Sequence, residues 1–142
     1  MPRVVNLLRR LEEMLETERL RNDEDVVRLV EVGLPTSVVK RLRLVGLTDE
    51  EIYAGVLPRR TLAHRIAKRE RLSRDESDRV VRILRVAAFG EHLFGDAERF
   101  WRWFRTPKQR FEGRSPLQML QTDAGGRVVE DLLIGVEEGF VA

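Results

Sequence analysis

Apolar residues recur at three- and four-residue steps along most of this chain, and no convincing run of strict apolar/polar alternation interrupts them. The first period is that of helices buried along one stripe, and the lack of the second removes a sheet as the organising element. From about Arg3 to Arg21 the stripe is Val4, Leu7, Leu8, Leu11, Met14 and Leu15, with Leu20 beyond it. Two uses are open to this helix: packing on the common core, or pairing with a partner. After Asn22 and Asp23, residues that favour helix starts, Val26, Val27, Leu29 and Val30 begin a second helix that Gly33 ends. Pro35 opens a third, continued by Val38, Val39, Leu42 and Val45 up to Gly46.

Thr48 to Glu51 reads T-D-E-E, a helix cap with a glutamate three residues on, so a short helix starts there and buries Ile52, Tyr53 and Val56. It stops between Gly55 and Pro58, and a basic helix follows from Arg59 to about Arg69, with Leu62 and Ile66 facing inward. A capped short helix, a tight turn and a basic helix form a helix-turn-helix layout. Ser73 to Glu76 is a second capping box, opening a long helix that runs to about Leu93. Beyond Gly95 and Asp96 come an aromatic segment (Phe100, Trp101, Trp103, Phe104), a loop from Thr106 to Arg114, a Ser115-Pro116 helix start and a final helix beyond Gly125 and Gly126. The expectation is an all-α chain, a helix-turn-helix bundle followed by a small helical domain. Its parts are residues 1–22 as an N-terminal amphipathic helix, 23–93 as the helix-turn-helix domain and 94–142 as the C-terminal domain.

Composition narrows the chemistry. There is no cysteine, which removes disulfides, thiolate metal sites and a cysteine nucleophile, and fits a reducing cytosol. Charges break every apolar run near the N-terminus before it reaches the length of a secretion signal, and no run approaches the roughly 20 residues that span a bilayer. A cytoplasmic location without membrane contact is expected. Net charge is only +2, but from Arg59 to Arg71 six basic residues face the single acid Glu70, a local net of +5. A basic stripe in a nearly neutral chain points to a polyanion partner for that segment.

With Leu62 and Ile66 inward, Arg59, Arg60, Thr61, His64, Arg65, Lys68 and Arg69 are left outside. On a helix whose N-terminus enters the major groove, the first arginines reach base edges and the later cations neutralise phosphates. An ordinary solvated basic face is the competing reading. His64 and His92 are the only histidines and lie far apart in the sequence, so no metal site is specified. The carboxylates cluster at helix starts, where they complement the helix dipole, and no nucleophile with a base or phosphate-binding glycine loop is visible. No catalytic residue, cofactor or enzymatic activity is therefore expected. One short helix cannot bury all four aromatics between Phe100 and Phe104, so one of them, Trp103 among the candidates, is left for an interface. The closing G-F-V-A either inserts into a partner or packs home.

The stretch R-R-T-L-A-H-R from Arg59, L-S-R-D-E-S-D-R-V-V-R from Leu72 and F-G-D at Phe94 to Asp96 resembles the Xre/MbcA/ParS family of type II antitoxins. So do W-F-R-T-P from Trp103, G-R-S-P-L-Q-M-L from Gly113, T-D-A-G at Thr122, V-E-D-L-L from Val129 and the closing E-E-G-F-V-A. The resemblance covers the chain from about Val30. It implies an Xre-like helix-turn-helix joined to a toxin-binding domain, a homodimer that neutralises a RES-type, NAD-degrading toxin and represses the operon encoding both. Carried over by residue, Arg59, Arg60, Thr61 and Arg65 would meet operator DNA, and Gly139, Phe140, Val141 and Ala142 would lie at the toxin. His64 and Gly135 depart from the pattern, each standing where an arginine is common. A stand-alone repressor with no toxin is the main alternative.

Overall fold

Caps and turn residues divide the chain into helices: α1 (Pro2–Leu15), α2 (Asp23–Val32), α3 (Val38–Val45), α4 (Asp49–Gly55), α5 (Arg59–Ala67), α6 (Arg74–Phe94), α7 (Ala97–Phe104), α8 (Pro116–Met119) and α9 (Asp123–Glu137), with a 3-10 turn at Gln109–Phe111. They are seen in a computed structural model that describes residues 2–137, and no strand occurs among the described residues. The all-α class expected from the apolar period is the class observed. The chain forms two compact units, Met1–Val81 and Arg82–Ala142, and the division falls inside α6.

In the first unit α1 packs on α3 and buries Leu11, Met14 and Leu15, so this part of the first helix serves the core. It ends at Leu15, short of Arg21, because Glu16 adopts a left-handed backbone with φ +52°. Arg41 of α3 closes that end, donating from Nη2 to the Glu13 carbonyl at 2.9 Å and from Nε to that of Met14 at 3.3 Å. Carbonyls left without helical partners are thereby satisfied by a cation, the charge that the helix C-terminus favours. Asn22 caps α2 by accepting the Asp25 N–H.

Gly33 ends α2 with φ +95°, a conformation that only glycine adopts without strain. A Cβ there would also lie 2.5 Å from the Leu72 carbonyl oxygen. The segment it opens is tied across the unit. Leu34 donates its N–H to the Ser77 hydroxyl at 2.9 Å, Leu72 donates to the Leu34 carbonyl at 2.9 Å, and Arg71 Nη1 donates to the Gly33 carbonyl at 2.9 Å. Leu34 and Ser77 are both buried. Since Leu34 spends its backbone groups on these partners, helical hydrogen bonding does not begin at Pro35. Residues 35–37 form a turn, and α3 starts at Val38, three residues later than Pro35 suggests.

The start of α6 follows its sequence signature. Ser73 Oγ accepts the Glu76 N–H at 3.1 Å, and Glu76 Oε1 accepts the Ser73 N–H at 2.8 Å. Arg65 of α5 adds a fork to the same carboxylate, Nε to Oε1 at 2.7 Å and Nη2 to Oε2 at 3.0 Å. Burial works to raise the Glu76 carboxyl, but the Arg65 fork and the Ser73 N–H outweigh it and hold the group below the ordinary carboxylate range.

In the second unit Asp96 caps α7, and Phe100 and Phe104 stack on that helix with ring centroids 4.8 Å apart, both fully buried. Burial of two such rings is worth about 1.5–3 kcal/mol each. Ser115 and Gln118 form the capping box of α8, with Pro116 in its first turn. The last helix starts at Asp123, so Gly125 and Gly126 lie inside its first turn and not ahead of it. Thr122 Oγ1 accepts the Gly125 N–H at 3.0 Å, and a Cβ at Gly125 would stand 1.9 Å from the Met119 carbonyl. Glycine here permits the close approach of α9 to α8.

Two measurements test the first unit. Ser77→Ala leaves the buried Leu34 N–H without an acceptor and should cost about 1–3 kcal/mol in chemical denaturation; an unchanged midpoint would remove the tie's importance. Because the Glu76 carboxyl is lower in the folded than in the unfolded chain, its contribution is present above about pH 4.5 and is lost as pH falls through the folded value. Wild type should therefore lose stability more steeply below pH 4.5 than Glu76→Gln, and parallel stability curves would contradict the assignment.

Candidate functional site

The helix-turn-helix expected between Thr48 and Arg69 is present as α4, the three residues Val56, Leu57 and Pro58, and α5. Thr48 and Glu51 exchange hydrogen bonds at the start of α4, 2.9 Å from the Thr48 N–H and 3.2 Å from that of Glu51. Val56 and Leu57 in the turn are buried. The Val56 carbonyl accepts Arg79 Nη1 of α6 at 2.8 Å, so the turn is held from behind.

On α5, Arg59, Arg60 and His64 are exposed, as are Lys68 and Arg69 in the turn that follows, while Thr61 is half-buried. Arg60, Lys68 and Arg69 have no ion pair among the described residues, so their charges face solvent. Arg59 lies over the Tyr53 ring, 5.0 Å from its centroid. Arg43 approaches the Tyr53 hydroxyl at 3.5 Å and pairs with Asp49 at 2.6 Å. Tyr53 therefore sits at the margin of α4 as a platform for Arg59 and is not a core residue. His64 faces Glu70 at 3.5 Å. Arg69 has φ +56°, the left-handed region, at the end of α5 where glycine or asparagine would be unstrained.

Two of the six basic residues between Arg59 and Arg71 are turned to internal use. Arg65 is committed to Glu76 and Glu70, and Arg71 to the Gly33 carbonyl. The inward face of α5 is made by Thr61, Leu62 and Arg65, so Ile66, expected inside, is 56% exposed. The spacing of Leu62 and Ile66 allowed a shared apolar face, but Arg65 reaches a buried carboxylate and takes the inner position instead. The remaining cations, all on one short helix and its closing turn, can neutralise phosphates, and those at the start of α5 can reach base edges.

In the second unit Trp103 is the half-exposed member of the aromatic group, 5.6 Å from Phe94 and with Lys108 Nζ 5.2 Å from its ring centre. Burial draws the Lys108 ammonium below its usual range. Val128 and Ile134 of α9 are exposed apolar side chains. An open cavity of about 270 Å³ is lined by Arg114, Gln118, Met119, Gln121, Thr122 and Gly125. Gly139, Phe140, Val141 and Ala142 lie outside the described residues. No arrangement of three or more histidine or acidic residues able to hold a metal ion occurs among the described residues. No described helix is long and apolar enough to cross a membrane.

Two family models match this architecture in order. The antitoxin Xre-like helix-turn-helix domain covers residues 25–85, and the antitoxin Xre/MbcA/ParS C-terminal toxin-binding domain covers residues 89–139. Proteins named antitoxin Xre are similar along most of their length. The one from Pseudomonas putida is 34% identical over 131 residues, 92% of this chain and 82% of the relative. Those from Yersinia enterocolitica and Photorhabdus laumondii are 30% and 29% identical, each covering 78% of this chain and 76% of the relative. The capped α4, the basic α5 and the aromatic second unit thus occur where these models place a DNA-binding and a toxin-binding domain, and the chain belongs to the Xre/MbcA/ParS family of antitoxins.

Proposed function

We propose that this antitoxin neutralises a RES-type toxin that degrades NAD and represses the operon encoding both proteins, acting as a homodimer in the cytoplasm. The observation that carries the DNA part is the outward basic face of α5 and its closing turn, with Arg59, Arg60, Thr61, His64, Lys68 and Arg69 as the contacts. Arg59 and Arg60 reach base edges, and Lys68 and Arg69 neutralise phosphates. The toxin part rests on the C-terminal domain family together with the motifs from Trp103 to Ala142. Trp103 and the segment Gly139 to Ala142 are its proposed contacts. The RES identity and the NAD chemistry come from the resemblance those motifs carry.

The strained backbone at Arg69 separates charge from fold. Arg69→Gly should hold stability or raise it by up to about 1 kcal/mol, because glycine relieves the left-handed conformation. The same change should flatten the log–log salt dependence of binding to promoter DNA by about 0.9. A wild-type slope in the variant would remove Arg69 from the contacts.

Co-expression tests the toxin part. With a RES-type protein encoded beside this gene, cellular NAD should fall when the toxin is expressed alone and hold when the full chain is present. Removing Gly139 to Ala142, or Trp103→Ala, should release the toxin while the circular-dichroism spectrum stays helical. Full protection by the shortened chain would overturn the tail's role, and no protection by the full chain would overturn the RES assignment.

A further inference from the structure

We infer that Arg65 is a positioning residue of the DNA-binding helix, holding α5 in its binding pose through Glu76, and that it makes no contact with DNA itself. The inference rests on the DNA-binding reading above. All three guanidinium nitrogens are engaged: Nε and Nη2 with the two oxygens of Glu76 at 2.7 and 3.0 Å, and Nη1 with Glu70 at 3.3 Å. Its side chain is only 19% exposed and that of Glu76 only 9%. Reaching a phosphate would break a two-point fork and strand a buried carboxylate, a loss larger than the gain from one exposed phosphate contact.

Glu76 is itself anchored. Its Oε1 accepts the Ser73 N–H and its own N–H is bound by Ser73 Oγ, so the carboxylate is part of the first turn of α6. The Arg65 fork therefore joins the last turn of α5 to a fixed point. Toward its N-terminus, about one and a half turns before Arg65, the same helix carries Arg59 and Arg60, and an error in its direction displaces both from the groove. Arg79 acts on the other side of the turn through the Val56 carbonyl, so α6 holds the reading helix from two places.

A lost positioning contact and a lost phosphate contact differ in their salt dependence. Misplacing α5 lowers the fraction of molecules competent to bind, a factor that multiplies the dissociation constant and leaves the salt slope in place. Losing a phosphate contact lowers the slope by about 0.9. The test measures binding of the full-length chain to a duplex of its own upstream region across a salt series, for wild type, Arg65→Ala, Arg65→Lys, Glu76→Gln and Arg60→Ala. Glutamine keeps the capping geometry while removing the charge that Arg65 grips, so Glu76→Gln preserves the α6 cap. Helical content and thermal midpoint are recorded for each, and binding is taken below the midpoint of the least stable variant.

The expected result is that Arg65→Ala, Arg65→Lys and Glu76→Gln each weaken binding about tenfold with the wild-type slope, while Arg60→Ala lowers the slope. Lysine retains the charge but not the fork, so it does not rescue. Slope loss in Arg65→Ala with rescue by lysine and unchanged affinity in Glu76→Gln would overturn the assignment and return Arg65 to the contacts. Wild type binding no DNA would overturn the DNA reading and this inference with it, and is told apart by the behaviour of the unsubstituted chain.

Discussion

The backbone of Leu34 lies buried outside any helix, and an unpaired amide or carbonyl there would cost as much as a lost hydrogen bond. Ser77 supplies the acceptor and Leu72 the donor, with Arg71 covering the neighbouring Gly33 carbonyl. These bonds bring the α2–α3 connection against the α5–α6 connection, 43 residues away in sequence for Leu34 and Ser77. They also set where α6 begins. From its first turns Glu76 reaches Arg65 on α5, and Arg79 reaches the carbonyl that closes α4. The pose of the basic helix is therefore the last link in a chain of satisfied buried polar groups that starts at a glycine with positive φ.

Charge is used sparingly on that helix. Six basic residues between Arg59 and Arg71 carry the same formal charge, but their surroundings divide them. Arg65 gives its donors to the Glu76 and Glu70 carboxylates, so it contributes rigidity and little outward field, whereas Arg71 ties one N–H to the neutral Gly33 carbonyl and stays exposed with its charge. Arg60, Lys68 and Arg69 present their charges to solvent, and Arg59 rests on Tyr53. The cation count overstates the charge offered to a polyanion, while the geometry explains why the offered part is held in place. In the second unit the aromatics divide in the same way: Phe100, Trp101 and Phe104 fill the interior and Trp103 remains at the margin.

Much of the fold was legible because its signals are local. Capping boxes at Thr48 and Ser73, the Ser115-Pro116 helix start, the asparagine cap at Asn22 and the glycine stop at Gly33 act over three or four residues, and each operates in the structure. What was misread involved distant partners. Pro35 looked like a helix start, but the backbone of Leu34 was already committed elsewhere. Gly125 and Gly126 looked like a break before the last helix, but glycine was needed inside it for the approach to Met119. Ile66 shared a face with Leu62 by spacing, yet a charged neighbour took the inner position. The spatial division at Val81 and Arg82 lies within a helix whose own sequence carries no turn signal, whereas Gly95 marks the end of that helix.

By itself the sequence determined the helical class, the number and limits of most helices, the basic segment after a capped turn and the family to which the chain belongs. These follow from periodicity, caps and ordered motifs, which need only near neighbours. Tertiary structure decided which of the basic residues face outward and which are turned inward to hold the helix. The direction of a long charged side chain depends on where a partner 11 residues away, Glu76 for Arg65, is fixed in space. Packing alone fixes that, since a basic stripe in a sequence carries charge but no direction.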